Sequence, residues 1–170
     1  YKKFGSLINE NNMLNTIVHG PKGCGKFSII KCLINSLYNE DIKCTNKTFK
    51  ISVNNIEKEI VVNSSEYHFE IYLDKYLFNN KLYLFGLIDN ITDSKEINGI
   101  TKKKIVIIRN INHAPNEFLN YIKSKMEKIS ASCVFFLTTN NISKIHKSML
   151  GHFMCFRLPY PEKKELKSLI

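Results

Sequence analysis

Apolar residues recur along this chain with two different periods. A short apolar run from Leu14 to His19 ends in a glycine-rich stretch. Beyond it Ile29, Ile30, Leu33, Ile34 and Leu37 return at helical spacing, which predicts a strand, a loop and a helix over Lys26 to Tyr38. Thr48 to Val53 and Glu57 to Val62 alternate instead, and Asn54-Asn55 suits the positive φ angles of a tight turn, so a β-hairpin is predicted. Tyr67 to Ile71 supplies another strand. The nearly continuous apolar run from Lys81 to Ile88 fits helix and buried strand alike, and the surrounding βαβ order favours helix.

In the second half, Lys103 to Ile108 reads as a central parallel strand buried on both faces. A helix follows from Pro115 to Ile129, with Pro115 and Glu117 suited to its start and Phe118, Leu119, Ile122, Met126 and Ile129 on its packed side. Cys133 to Leu137 is the next buried strand. Thr138-Thr139-Asn140-Asn141 lies at its carboxyl end, where open α/β sheets place ligand-contacting side chains. A short helix over Ser143 to Lys147 and a strand over Phe153 to Leu158 complete the unit, and Pro159 and Pro161 break the chain. The predicted fold is α/β, a three-layer αβα P-loop domain with a parallel central sheet and a small hairpin insertion. The expected division is a nucleotide-binding core over 1–161 and the first helix of a truncated helical lid over 162–170. The chain opens on Tyr1 and a polar lead-in, which suggests a fragment of a longer protein.

Composition narrows the function classes. At 170 residues, 44% hydrophobic and 24% charged, the chain has the makeup of one folded domain. No apolar run approaches the ~18 residues that span a bilayer, so a membrane partner is not expected. The net charge of +10 suits a polyanion, because clustered Lys and Arg release counterions from nucleic acid. It also serves solubility, and heavy use of Asn, Ile and Lys is what an AT-rich coding sequence produces. Cys24, Cys32, Cys44, Cys133 and Cys155 form no C-x-x-C pair, so neither a disulfide framework nor a zinc site is indicated. His19, His68, His113, His146 and His152 show no metal-ligand spacing.

The chemistry concentrates in Gly20-Pro21-Lys22-Gly23-Cys24-Gly25-Lys26-Phe27-Ser28. Gly20, Gly25 and Lys26 meet the phosphate-loop pattern G-x-x-x-x-G-K-[ST], but Phe27 stands where a hydroxyl would hold magnesium. Such a loop binds polyphosphate through converging backbone N–H groups, the helix N-terminus and the lysine. Hydrolysis also needs an acidic metal ligand after the buried strand, and Arg109-Asn110-Ile111-Asn112 offers none. Arginine there puts fixed positive charge where the ion would sit. Two readings of Arg109 stay open: it pairs a phosphate directly, or it reaches solvent beside a disused pocket.

With these residues the chain resembles the small subunits of the AAA+ sliding-clamp loader, the replication factor C family, and within it the subunit whose own ATP site is degenerate. The likeness lies in Val18-His19-Gly20-Pro21 with the loop, in Ser64-Ser65-Glu66-Tyr67-His68-Phe69-Glu70, in Lys125-Met126-Glu127-Lys128, in Asn140 through Lys144-Ile145, and in Arg157-Leu158-Pro159-Tyr160-Pro161. Departures accompany it. Gly151-His152-Phe153 replaces the S-R-C whose arginine acts on a neighbour's ATP, Lys123-Ser124 replaces an R-R pair, and Arg109-Asn110 lacks the usual glutamate. The resemblance implies ATP as the bound nucleotide, held by Gly20 to Ser28 with Asn140 as the sensor. Magnesium and hydrolysis are doubtful, and no residue is assigned a catalytic role. It further implies sister clamp-loader subunits, a sliding clamp and primer-template DNA as partners, with Lys81, Lys102, Lys103 and Lys104 as DNA- or clamp-facing candidates. The expected location is the nucleus, or a viral replication compartment. An active ATPase with a site rebuilt from Ser28 and Asp89 or Asp93 is the first alternative, and a small-molecule P-loop kinase the second.

Overall fold

The computed structural model describes residues 13–38, 41–76, 81–93 and 103–161. Five strands run parallel: β1 (Thr16–His19), β4 (His68–Tyr72), β5 (Lys104–Arg109), β6 (Cys133–Thr139) and β7 (Met154–Arg157). Two antiparallel strands, β2 (Thr45–Val53) and β3 (Ile56–Ser64), extend one edge, giving a seven-stranded sheet in the order β2-β3-β4-β5-β6-β1-β7. The predicted αβα layering is present.

Period-two burial explains the layers. Along β5 and β6, Ile105, Ile107, Val134 and Phe136 face helix α1 (Lys26–Tyr38) and pack with its Ile29, Ile30, Leu33 and Ile34. The alternate residues Val106, Ile108, Phe135 and Leu137 face α2 (Lys81–Asp93) and α3 (Asn116–Ile129), meeting Leu84, Leu87, Ile88, Phe118, Leu119 and Ile122. A strand covered on both sides has no polar face, which is why β5 and β6 read as unbroken apolar runs.

The hairpin is longer than the predicted Thr48–Val53 and Glu57–Val62, with nine residues in each strand. Its two-residue turn holds Asn54 at φ 50° and Asn55 at φ 64°, the left-handed pair that matches strand twist. Ile51, Ile60 and Val62 are buried toward α2, so the hairpin belongs to the core.

One short element differs from expectation. In place of a helix over Ser143 to Lys147, a 3-10 turn spans Ile142–Lys144 and a one-turn helix, α4, spans Lys147–Leu150. The Asn141 side chain accepts from the Ser143 N–H and the His146 ring from the Ser148 N–H, so two caps divide one predicted helix. The segment expected to open a lid, 162–170, lies outside the described residues, as do the polar lead-in and Lys102.

Candidate functional site

The glycine loop leaves β1 at the carboxyl end of the parallel strands, between the ends of β6 and β7 and one strand over from the end of β5. Gly20 is fixed by close approach: a Cβ there would stand 2.1 Å from the Leu158 carbonyl oxygen, while its N–H donates to the Thr139 carbonyl at 3.2 Å. Gly23 and Gly25 adopt φ of 85° and 86°, conformations that side chains rarely tolerate, and turn the backbone into α1. The Tyr160 hydroxyl donates to the Lys22 carbonyl at 3.1 Å, and the Leu158 N–H donates to the His19 carbonyl at 2.7 Å. Residues after β7 thus brace the loop from outside.

Lys26 is buried and its ammonium donates to the carbonyls of Gly20 at 2.9 Å and Pro21 at 2.6 Å, with Cys24 Sγ at 3.8 Å. The lysine is therefore held inside the loop it serves. Lys22 and Gly23 are exposed at the rim, whereas Cys24 is buried beneath it.

The two substituted positions meet each other. The Arg109 guanidinium carbon lies 4.1 Å from the centroid of the Phe27 ring and 4.9 Å from that of Tyr72. Arg109 is half-buried against two aromatic faces, and its charge also acts on the Glu70 carboxylate, helping to hold it below its ordinary value. Ser28, whose hydroxyl would have to replace that of the missing Ser or Thr, is exposed on α1.

Polar groups at the end of β5 are occupied as well. Asn110 adopts φ 60°; its N–H donates to Thr138 Oγ1 at 3.1 Å, and its side-chain amide donates to Asp74 at 2.7 Å and to the Tyr72 hydroxyl at 3.3 Å. Asp74, a carboxylate at this end of the sheet that sequence reasoning missed, is thereby committed to Asn110. Asn140 is exposed, and its N–H donates to the Asn112 side-chain oxygen at 3.5 Å, linking the ends of β6 and β5.

Asp89 and Asp93 lie elsewhere. Both pair with Lys125 of α3, and Asp89 also accepts from the Tyr121 hydroxyl. They sit on the last turns of α2, where Lys104 reaches back to the Ile91 carbonyl at 3.4 Å, toward the amino end of β5 and away from the loop. This corrects the alternative in which either acid rebuilds a metal site with Ser28. Burial would raise the Asp89 carboxyl, but hydrogen bonds from Lys125 and Tyr121 hold it below its ordinary value. Burial and the bond to Asp89 push the Tyr121 phenol well above its own.

Among the proposed basic contacts, Lys104 is buried against that carbonyl and cannot face a partner. Lys81 is exposed and pairs with Glu117 at 3.5 Å. His152, at the position of the expected arginine, is exposed and lies 3.8 Å from Glu127.

A family model for the ATPase family associated with various cellular activities (AAA) matches residues 16–158, from the first described strand to the brace behind the loop. The chain belongs to the AAA family. Among curated relatives, a replication factor C small subunit of Acanthamoeba polyphaga mimivirus is 27% identical over 96% of this chain and 45% of its own length. Replication factor C subunit 5 of Oryza sativa is 25% identical over 96% of this chain and 48% of its own, and subunit 3 of Arabidopsis thaliana 23% over 99% and 50%. This AAA chain spans about half the length of the curated relatives it matches. Solved structures agree on the fold. A DNA polymerase III gamma subunit-related protein of Thermotoga maritima superposes with a TM-score of 0.60 at 13% identity, over 99% of this chain and 48% of its own. The FIGL-1 AAA domain in complex with ADP gives 0.56 at 11%, over 91% and 46%.

The residues of the site divide by chemistry. The loop backbone, Lys26 and the N-terminus of α1 form a cradle that fits phosphate groups. Phe27 and Arg109 place a ring and a fixed cation where magnesium needs a hydroxyl and a carboxylate, so these residues do not fit the metal.

Proposed function

We propose that this AAA chain is part of a replication factor C-like subunit of a DNA sliding-clamp loader, acting in DNA replication. Its loop binds ATP or ADP through the phosphates, without magnesium and with little or no hydrolysis of its own. The observation that carries this reading is the stacking of Arg109 on Phe27 at 4.1 Å, which fills two positions of a magnesium site with one contact. The three relatives, from a mimivirus and two plants and all named as replication factor C subunits, support the assembly role.

In this role the subunit is a segment of a hetero-oligomer. It engages sister subunits, the sliding clamp and primer-template DNA, and a helical lid begins near Glu162. With His152 in place of an arginine, it gives its neighbour's ATP a shorter, weaker partner. It works in the nucleus, or in a viral replication compartment if its source is a virus.

Reconstitution tests the assignment. The chain alone should turn over no ATP, and mixing with sister subunits, clamp and primed DNA should recover it in one complex. Failure to co-purify with any of them when all are present would overturn the assembly role.

A further inference from the structure

The sheet edge far from β7 carries a second cluster. Cys44 lies just before β2, and His68 and Glu70 project from β4 two residues apart, on the face that also carries Arg109's partner Tyr72. Cys44 Sγ is 3.9 Å from His68 Nε2 and 3.7 Å from Glu70 Oε1, and the last two atoms are 3.2 Å apart. His68 is 1% exposed and Glu70 9%, whereas Cys44 is exposed, so the triangle has a closed floor and an open mouth.

We propose that Cys44, His68 and Glu70 form a binding site for a zinc ion, with water completing the shell at the open side. A tetrahedral zinc with bonds of about 2.3 Å to sulfur and about 2.0–2.2 Å to nitrogen and oxygen requires ligand atoms roughly 3.3–3.6 Å apart. The observed triangle comes within a few tenths of an ångström of that before any ion draws it in. Thiolate, imidazole and carboxylate together suit zinc rather than magnesium or calcium, which prefer all-oxygen shells.

The surroundings are those of a ligand set. Ser65 Oγ lies 2.5 Å from His68 Nδ1 and fixes the ring with Nε2 turned to the cluster, and the Asn63 amide donates to the other Glu70 oxygen at 3.5 Å. Thiolate and carboxylate carry two negative charges against the ion's two positive ones, so the filled site is neutral at the edge of the core. Spacing along the chain could not reveal it, because the whole β2–β3 hairpin separates Cys44 from His68. A bound ion would staple the start of that hairpin to the parallel sheet.

The test uses the metal-depleted chain and two probes. Zinc is titrated against a chromophoric chelator, and cobalt(II) reports a thiolate ligand by its sulfur-to-metal charge-transfer band. Cys44→Ser, a change at an exposed residue, should weaken zinc binding at least about tenfold and abolish the band. Cys155→Ser, at the opposite edge of the sheet, should change neither. Zinc should raise the melting temperature of the unaltered chain and not that of Cys44→Ser. Absence of a thiolate band from the unaltered chain, or equal zinc affinity in the Cys44→Ser variant, would overturn the site. Neither result bears on the glycine loop.

Discussion

The contact between Phe27 and Arg109 can be isolated by replacing the two residues singly and together. Phe27→Leu keeps an apolar side chain but removes the aromatic face, and Arg109→Met keeps a long stem but removes the charge. A cation over a ring is worth roughly 0.5–1 kcal/mol when exposed and about 2 kcal/mol when desolvated. Arg109 and Phe27 are both half-buried at 4.1 Å, so the coupling should be about 1 kcal/mol. The contact of Arg109 with Tyr72 is lost in both Arg109 variants and cancels in the cycle. Urea unfolding of the four proteins reads the coupling directly, and each 1 kcal/mol should appear as about 2–4 °C in melting temperature for a chain of this size. The double variant should therefore be more stable than the summed single losses predict. Additivity to within about 0.3 kcal/mol would refute the claim that the two substitutions form one unit.

Two other outcomes follow from the geometry. Gly20→Ala would drive a methyl group into the Leu158 carbonyl and should destabilise the chain by roughly 1–3 kcal/mol in thermal unfolding. For Tyr121, a folded value above the unfolded one means that the folded chain keeps the phenol proton after the unfolded chain has lost it. Its contribution is complete below pH ~10 and is lost as pH rises through the folded value, so alkaline unfolding curves should flatten in Tyr121→Phe.

Much of the scaffold was legible because its signals are local. The helix over Lys26–Tyr38 and the Asn54-Asn55 turn follow from short-range spacing and turn chemistry, and both occur where the sequence places them. The substitutions at Phe27 and Arg109 were equally visible as separate departures. Their contact was not, because it depends on α1 starting beside the end of β5, and Tyr72 completes the pocket only through the β4–β5 pairing. Lys104 looked like surface charge because its sequence neighbours are lysines, yet it points to a helix carbonyl across the layer. The Cys44 cluster required the register of the hairpin. Local chemistry was readable residue by residue, while contacts made across the sheet became visible only with the fold.

Nucleotide binding by this chain should be indifferent to magnesium. Calorimetric titration of ATP or ADP into the chain, once with magnesium and once with excess chelator, tests it most directly. The filled metal position predicts the same affinity in both, and the variant joining Phe27→Thr with Arg109→Asp should gain a magnesium requirement. Binding by the unaltered chain that tightens about tenfold or more with magnesium, or magnesium-dependent release of phosphate, would contradict it.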